Sequence, residues 1–442
     1  MFKTLLIMRL VLTHIRPVPN RSAIDKRTKT GASQRVLILL AKTTYRARAF
    51  MEAAQKLGLE ISVGSNHHQS LSDFVPGASI FLDPDDIVSS VKSIVDFHSS
   101  YHFSGIVAAE DDFAILAAAA AETIGLVQHS LLGVSTVRNK GSMRKKLAGK
   151  EGSTIWFQGY DLSEDVNSIV KKIPFPCVVK PVSLSASRGV MRCNNNKEFV
   201  IAWTRLKKVL GLGGLGERSG NSTGEVIVEE YLEGREVAVE GIMDEGSLML
   251  IAILDKPNPL EGPFFEETLL VTPSRFTAIV QNNLISRTEQ VAIILGLENG
   301  PVHAEFRVEE EKINLLEIAP RSIGGYCSRI FRFQPESTLE ELILRHSLGM
   351  QIDHYRREGE SKGVFMLPVP KAGKLKHVSG IQEAMNIKGI KDIEITLPIG
   401  AKVSPLPEGN QYLGFLFAEG KDPKFVESAL RKAFSILDVE IR

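Results

Sequence analysis

The stretch that most restricts the fold is PVHAEFRVEEEKINLLEIAPRSIGG, residues 301–325. Ala304, Phe306 and Val308 alternate with Glu305 and Arg307. After a charged turn, Asn314, Leu316 and Ile318 alternate with Leu315, Glu317 and Ala319. A period of two means a strand, and two such runs around a short polar turn mean an antiparallel hairpin. That pairing brings Glu305 and Glu317 to neighbouring positions on one sheet face, with Arg321 just beyond in a turn that runs into Gly324 and Gly325. Two carboxylates beside a guanidinium can hold Mg²⁺ and nucleotide phosphates. Oxygen ligands suit a hard cation, and arginine neutralises charge that builds on a transferring phosphoryl group. The same acids would also suit a solvated surface hairpin, so the rest of the chain has to decide.

From Arg35, the apolar run RVLILLA, helical spacing at Ala49, Ala53 and Leu57, and the strand LEISVGS form a βαβ opening to a parallel sheet. FSGIVAAEDD places Asp111 and Asp112 at the carboxyl end of a strand, where open α/β sheets bind ligands; Asp112 would equally serve as a helix N-cap. GLGGLG at 211–216 matches the letters of a dinucleotide fingerprint, but it follows a helix and enters a polar loop, so it reads as a flexible connection.

From Val137 a basic helix holds Lys140. PFPCVVKPVSLSASRGVMRC then supplies a strand with Lys180, a loop of small residues and a second strand. Such a loop lets backbone N–H groups approach phosphate oxygens. In EVIVEEYLEGREVAVEGIMD, two strands flank the turn at Glu233 and Gly234. The strand end at 230–232 can present backbone groups to an adenine edge, and Glu236 can accept from ribose hydroxyls. PLEGPFFEETLLVTPSRF reads as a loop of the kind that carries substrate contacts. Beyond Gln351, short strands and one helix suggest a small α+β domain. That helix has Asp422 as N-cap, Pro423 next, and Phe425, Val426, Leu430, Phe434 and Leu437 as its buried stripe.

The 442 residues allow two to four domains. Lys plus Arg number 53 against 52 acids, so no global field draws in nucleic acid or membrane, and no apolar run reaches transmembrane length. Cys177, Cys193 and Cys327 match no zinc or disulfide spacing, which points to a reducing, cytoplasmic compartment. Residues 1–34 are basic with one acid, Asp25. They read as a disordered extension, a leader or transit segment, or the product of a mis-chosen start.

Taken in order, PVSLSASRGV, EEYLEGREVAVEG and LLEIAPR resemble the ATP-grasp superfamily over nearly all of 35–442, and most closely its carboxylate–amine ligase branch, which includes carnosine synthase and bacterial L-amino acid ligases. The resemblance implies a multidomain α/β and α+β chain. Its parts would be a βαβ pre-ATP-grasp domain over 35–136, an ATP-grasp domain over 137–350 and a small C-terminal α+β domain over 351–442. It implies that Lys140 and Lys180 contact ATP phosphates, with Lys180 and Arg321 catalytic. The loop carrying Ser183, Ser185 and Ser187 would close on the triphosphate, and it is serine-rich where many members have glycines. Glu229, Glu230, Tyr231 and Leu232 would form the adenine hinge, with Glu236 at the ribose. Glu305 and Glu317 would bridge Mg²⁺, or Mn²⁺ in its place. Glu267, Ser274, Gly324 and Gly325 fall near the carboxylate substrate. One position departs from the pattern. Many members carry Asn two residues after the second glutamate, and here that residue is Ala319, which leaves a water to fill the gap.

The activity implied is amide formation through an acyl phosphate from small carboxylate and amine substrates of amino-acid type, with ADP and phosphate as co-products. Relatives of the fold are often dimers, so the resemblance admits a homodimer, although no stretch of the sequence marks an interface. The competing readings are a ligase acting on bicarbonate or a purine intermediate, a non-catalytic nucleotide-binding module, and an interaction protein.

Overall fold

The computed structural model describes residues 34–42, 44–67, 75–150, 155–211 and 224–442. The leader expected over 1–34 and the GLGGLG stretch lie outside them, apart from Gln34 and Gly211. Strands β1 (Arg35–Leu39), β2 (Glu60–Ser65), β3 (Ser79–Phe81) and β4 (Gly105–Ala108) form a parallel sheet in the order β3-β2-β1-β4. Val36, Leu37, Ile38 and Leu39 are fully buried. A parallel strand covered on both faces reads as a continuous apolar run, which is what RVLILLA is. The helices of this region are α1 (Ala47–Lys56), α2 (Ile87–Ser100) and α3 (Asp111–Ile124). The N-cap of α3 is Glu110 and not Asp112; Asp111 and Asp112 fall in its first turn, where carboxylates oppose the positive end of the helix dipole.

Helices α4 (Leu131–Val137) and α5 (Lys140–Leu147) lead to a smaller antiparallel sheet, and Asn139 caps α5 by accepting from the Ser142 N–H. That sheet contains β5 (Phe157–Asp161), β6 (Cys177–Pro181), β7 (Met191–Cys193) and β8 (Glu225–Glu230) in the order β5-β8-β6-β7, with α6 (Asn196–Val209) against it. Its buried cluster, around Val179, Phe199, Trp203 and Val228, draws only on residues 162–228. This unit therefore has a core of its own.

The third sheet has eight strands. β9 (Arg235–Asp244), β10 (Ser247–Asp255), β11 (Leu269–Thr272), β12 (Gly300–Glu309) and β13 (Lys312–Ala319) are joined by β14 (Ser361–Leu367), β15 (Ile390–Ile395) and β16 (Gly414–Gly420). The order is β13-β12-β9-β10-β11-β14-β16-β15. Helices α7 (Ala278–Leu295), α8 (Leu339–Ser347) and α9 (Pro423–Ile436) pack against it, and α8 also packs against β4 of the first sheet.

Three expectations change here. The residues after 350 do not simply pack on what precedes them: β14 pairs with β11, from Leu269↔Phe365 to Thr272↔Lys362, and extends the same sheet. β11 itself lies inside the segment read as a loop. Its four residues are all buried, so it shows no alternation. In α9, Val426 and Leu430 are buried with Ala429 and Ala433, whereas Phe434 is 36% exposed and stacks on Phe365 at the edge of the stripe.

The hairpin carries a further correction. Glu305 pairs with Glu317 but Phe306 pairs with Leu315, so Leu316 is the extra residue of a β-bulge. A bulge shifts the period by one. Leu315 and Ile318 therefore both enter the core, and Leu316 turns into the cleft described next. The single face expected for Asn314, Leu316 and Ile318 does not exist.

Candidate active site

A cleft of about 400 Å³ opens where the three sheets meet. Its first wall comes from the small sheet and α5. Lys180, at the end of β6, pairs with Glu229 at 2.5 Å, and Arg144 of α5 pairs with the same carboxylate at 2.8 Å. Glu229 is 2% exposed and Arg144 1%, so that pair is sealed from solvent, while Lys180 borders the cleft. Burial alone would raise the Glu229 carboxyl, but Arg144 and Lys180 outweigh it and hold it at about 2. The remaining donors of Arg144 reach the Leu315 and Leu316 carbonyls at 2.8 and 3.0 Å, the two carbonyls of the bulge. Lys140 donates to the Leu184 carbonyl at 2.8 Å and lies 3.1 Å from Glu317.

Leu184, Ser185, Ala186 and Ser187 line the cleft, and Ser183 does not. Ala186 and Ser187 hold φ of 55° and 54°, a left-handed conformation that costs a side chain about 1–2 kcal/mol. The loop is braced from the far end of the chain. The Gly189 N–H donates to the Pro407 carbonyl at 3.0 Å, and Arg205 grips Glu408 at 2.5 and 2.8 Å.

At the hinge, the Glu230 carboxylate accepts the Trp156 N–H at 3.0 Å and the Tyr231 N–H donates to the Pro176 carbonyl at 3.1 Å. The Arg192 guanidinium lies 3.9 Å from the Tyr231 ring centre. Glu229, Glu230, Tyr231 and Leu232 all border the cleft, but the Glu229 side chain is committed to its two cations.

The opposite wall belongs to the eight-stranded sheet, and its charge is reversed. Lys256, just past β10, meets Glu236 at 2.7 Å, Glu305 at 3.0 Å and also Glu267. Carboxylate oxygens of Glu236, Glu267 and Glu305 lie within 4.8 Å of one another. Burial works against the Lys256 charge, but the three carboxylates push it well above its ordinary value. Burial pushes the Glu267 carboxyl up to about 7, with Lys256 pulling the other way. Arg307 lies 3.2 Å from Glu236.

His303 faces Ala319 across the hairpin. Its Nδ1 meets Glu240 and its Nε2 lies 3.0 Å from Glu305. Burial disfavours its charge, yet the two carboxylates raise it to about 10. The neighbourhood of Ala319 thus contains an imidazole.

Arg321 donates to Asp111 at 2.7 Å, and Arg138 reaches the other Asp111 oxygen at 3.2 Å. Burial would raise the Asp111 carboxyl, but the two guanidiniums hold it far below its usual range. Gly324 and Gly325 border the cleft. Gly325 has φ of +60°, and a Cβ there would stand 3.0 Å from the Phe415 ring, so the turn needs glycine. Ser274 lies outside the cleft lining, with its hydroxyl donated to Asp255 at 2.6 Å.

Sequence reasoning passed over Arg144, Lys256 and His303. His303 was legible as the residue two before Glu305, on the same strand face. Lys256 follows an apolar strand much as Lys180 ends one. Arg144 is one helical turn after Lys140. The carboxylates of Glu236, Glu267 and Glu305 form an oxygen donor set that fits a hard divalent cation, while Glu317, opposite Glu305 in the hairpin register, has its carboxylate 3.1 Å from Lys140.

Three stretches match known families: the ATP-grasp N-terminal domain over 51–126, the ATP-grasp domain over 173–330, and the L-amino acid ligase C-terminal domain 2 over 365–442. Among whole proteins, the chain is 22% identical to the uncharacterised protein y4rH of Sinorhizobium fredii, over 92% of this chain and 83% of that one. It is 24% identical to alanine–anticapsin ligase of Bacillus subtilis, over 61% of this chain and 60% of the ligase. The match therefore spans somewhat less than two thirds of that enzyme. The crystal structure of an L-amino acid ligase from Bacillus licheniformis superposes with a TM-score of 0.78 at 21% identity, covering 93% of this chain and all of that one. That likeness establishes the fold.

Proposed function

We propose that this chain, an ATP-grasp protein of the carboxylate–amine ligase branch, is an ATP-dependent ligase that joins the carboxylate of one amino-acid-type substrate to the amine of another. The observation that carries the reading is one cleft with unequal walls. Lys140 and Lys180 stand on one side and a group of carboxylates with Arg321 on the other.

The reaction runs in two steps. A substrate carboxylate oxygen bonds to the γ-phosphorus of ATP as the bond to ADP breaks, giving an acyl phosphate. The amine then bonds to the acyl carbon, phosphate departs, and the amine's surplus proton is released. Lys140 and Lys180 receive the phosphates, and the Ser185–Ser187 loop lies over them. Backbone groups at 230–232 hold the base, and Glu236 takes the ribose. Glu305 and Glu317 would hold Mg²⁺, or Mn²⁺ in its place, whose charge offsets that of the phosphates. Arg321, fixed by Asp111, faces the transferring group, and Glu267, Gly324 and Gly325 border the acid. Nearly all of this is positioning and electrostatics, which is how phosphoryl transfer is accelerated. A loop closed over the site also keeps water from the acyl phosphate.

The test is ADP release with MgATP and amino acids offered singly and in pairs, with mass spectrometry on active mixtures. The expected result is turnover that needs two amino acids and a product at their summed mass less water. Turnover with bicarbonate alone, or ATP binding without hydrolysis in every mixture, would overturn the reading.

A further inference from the structure

Past Arg321 the cleft ends at the loops that follow β1 and β4, and there Glu110 stands out. It is the last residue before α3 and borders the cleft. One carboxylate oxygen accepts the Ala41 N–H at 3.2 Å and the other accepts the Thr44 hydroxyl. These are neutral donors, and a carboxylate has about four acceptor sites. No lysine, arginine or histidine among the described residues forms an ion pair with it. Arg46 acts on it through its charge but forms no ion pair with it: it pairs with Glu340 at 3.3 Å and donates to the carbonyls of Ala109, Ser322 and Ile323. The neighbouring Asp111, by contrast, carries two guanidiniums. One of them is Arg321, so Glu110 lies a single residue from the group that holds the transfer site. The same cleft is also lined by Tyr45, Ile323, Cys327, Met366 and Tyr412, which give it an apolar and aromatic surface.

We propose that Glu110 anchors the ammonium group of an amino acid with an apolar side chain, whose carboxylate lies toward Arg321. The assignment rests on the ligase reading above and names its acid substrate. A partly buried carboxylate whose direct donors are all neutral, with Arg46 acting on it only through space, gains a contact countercharge from an ammonium group, together with hydrogen bonds to the free lone pairs. Burial pushes the Glu110 carboxyl up in the absence of that partner. The anchor thus separates amino acids from plain carboxylic acids, because a site built for a charged donor is left unpaired when the donor is missing. The apolar lining then favours side chains such as those of alanine, valine, leucine and phenylalanine over charged ones.

The experiment compares ADP release by the full chain with each of these four amino acids and with its counterpart lacking the amino group: propanoate, 3-methylbutanoate, 4-methylpentanoate and 3-phenylpropanoate. A fixed panel of second amino acids serves as amine donors. Wild type should prefer at least one amino acid over its counterpart by about 100-fold in kcat/KM. Glu110→Gln should abolish that preference and lower kcat/KM for the amino acid about 30-fold, with the KM for ATP within twofold. The amide can still accept from Ala41 and donate to Thr44, so packing is kept. Glu110→Asp, which retains the charge, should fall between the two. Equal use of both acids by wild type, or an undiminished preference in a folded Glu110→Gln protein, would overturn the anchor and leave the ligase reading intact. Should Glu110→Gln not fold, the wild-type comparison and Glu110→Asp decide alone. If no amino acid raises ADP release in wild type, the ligase reading falls first and the anchor with it.

Discussion

On the small-sheet wall one carboxylate, Glu229, serves two cations, whereas on the large-sheet wall one ammonium, Lys256, serves three carboxylates. On that second wall Arg307 beside Glu236 and His303 beside Glu305 and Glu240 reduce the excess of carboxylates without removing it. Each wall leaves a surplus charge facing the cleft, positive on one side and negative on the other. A polyphosphate and a divalent cation satisfy the two together, while either alone satisfies only one. Opposed surplus of this kind is unfavourable to build, because every buried ion gives up hydration, and it persists because nearly every charge also has a fixed partner.

The largest effect should come from removing the positive surplus. Lys180→Ala is expected to lower ADP production about 10³-fold, or about 4 kcal/mol in the barrier, and Glu317→Ala, which removes negative charge from the opposite wall, by a similar factor. Activity within tenfold of wild type in either would break the comparison on that wall. Next comes Glu229→Gln, which leaves Arg144 and Lys180 without their common anion. Removing one partner of a buried ion group costs about 3–5 kcal/mol, which urea unfolding would measure. Lys256→Met should act on the opposite wall and convert it to cation dependence. Melting of the variant in chelator should fall well below its melting in excess Mg²⁺, by about 3 kcal/mol in stability. Wild type, with the ammonium in place, should show a much smaller difference.

Acid offers a finer probe. His129 is buried, accepts the Asn299 N–H at Nδ1 and faces the Pro301 carbonyl at 3.1 Å through Nε2, so it is held neutral at the start of β12. Burial lowers it to about 4, against 6.5 when free. The unfolded chain therefore binds the proton first. The stability contributed by neutral His129 is present above about pH 6.5 and is lost as pH falls toward 4. By pH 5 the loss is about 2 kcal/mol. Hydrogen exchange should show β12 loosening before β6 and β8, and His129→Gln should flatten the dependence. The smallest effect belongs to Arg205→Ala. Its pair with Glu408 is half exposed, so stability should change by about 0.5 kcal/mol and ADP release by no more than a few fold.

How much of this was legible in the sequence follows from where each residue sits. Lys140, Lys180, Glu305, Glu317 and Arg321 lie at helix starts, strand ends and register positions, which local periodicity locates. Leu316 was misread because a bulge is an interruption of the period that defines the strand. β11 was missed because four buried residues between polar flanks carry no alternation. Arg144 and Lys256 are identified by partners 85 and 49 residues away, a separation that no pattern within one segment encodes. Glu110 was passed over for its neighbours because what sets it apart, a cleft-side carboxylate without an ion pair among the described residues, only the folded chain reveals.

The pairing of β14 with β11 also bears on how such chains can be recombined. A chimera that takes its last segment from a relative inherits β14, and with it four backbone pairs that must match a β11 left behind in the host. A mismatch by one residue would turn Phe365 outward and the opposite face inward. It would also open an edge in the middle of an eight-stranded sheet, where unpaired strands invite aggregation. Segment exchange near residue 350 should therefore fail unless β11 travels with β14. The practical unit of exchange is the pair of strands, and it crosses the boundary that composition draws.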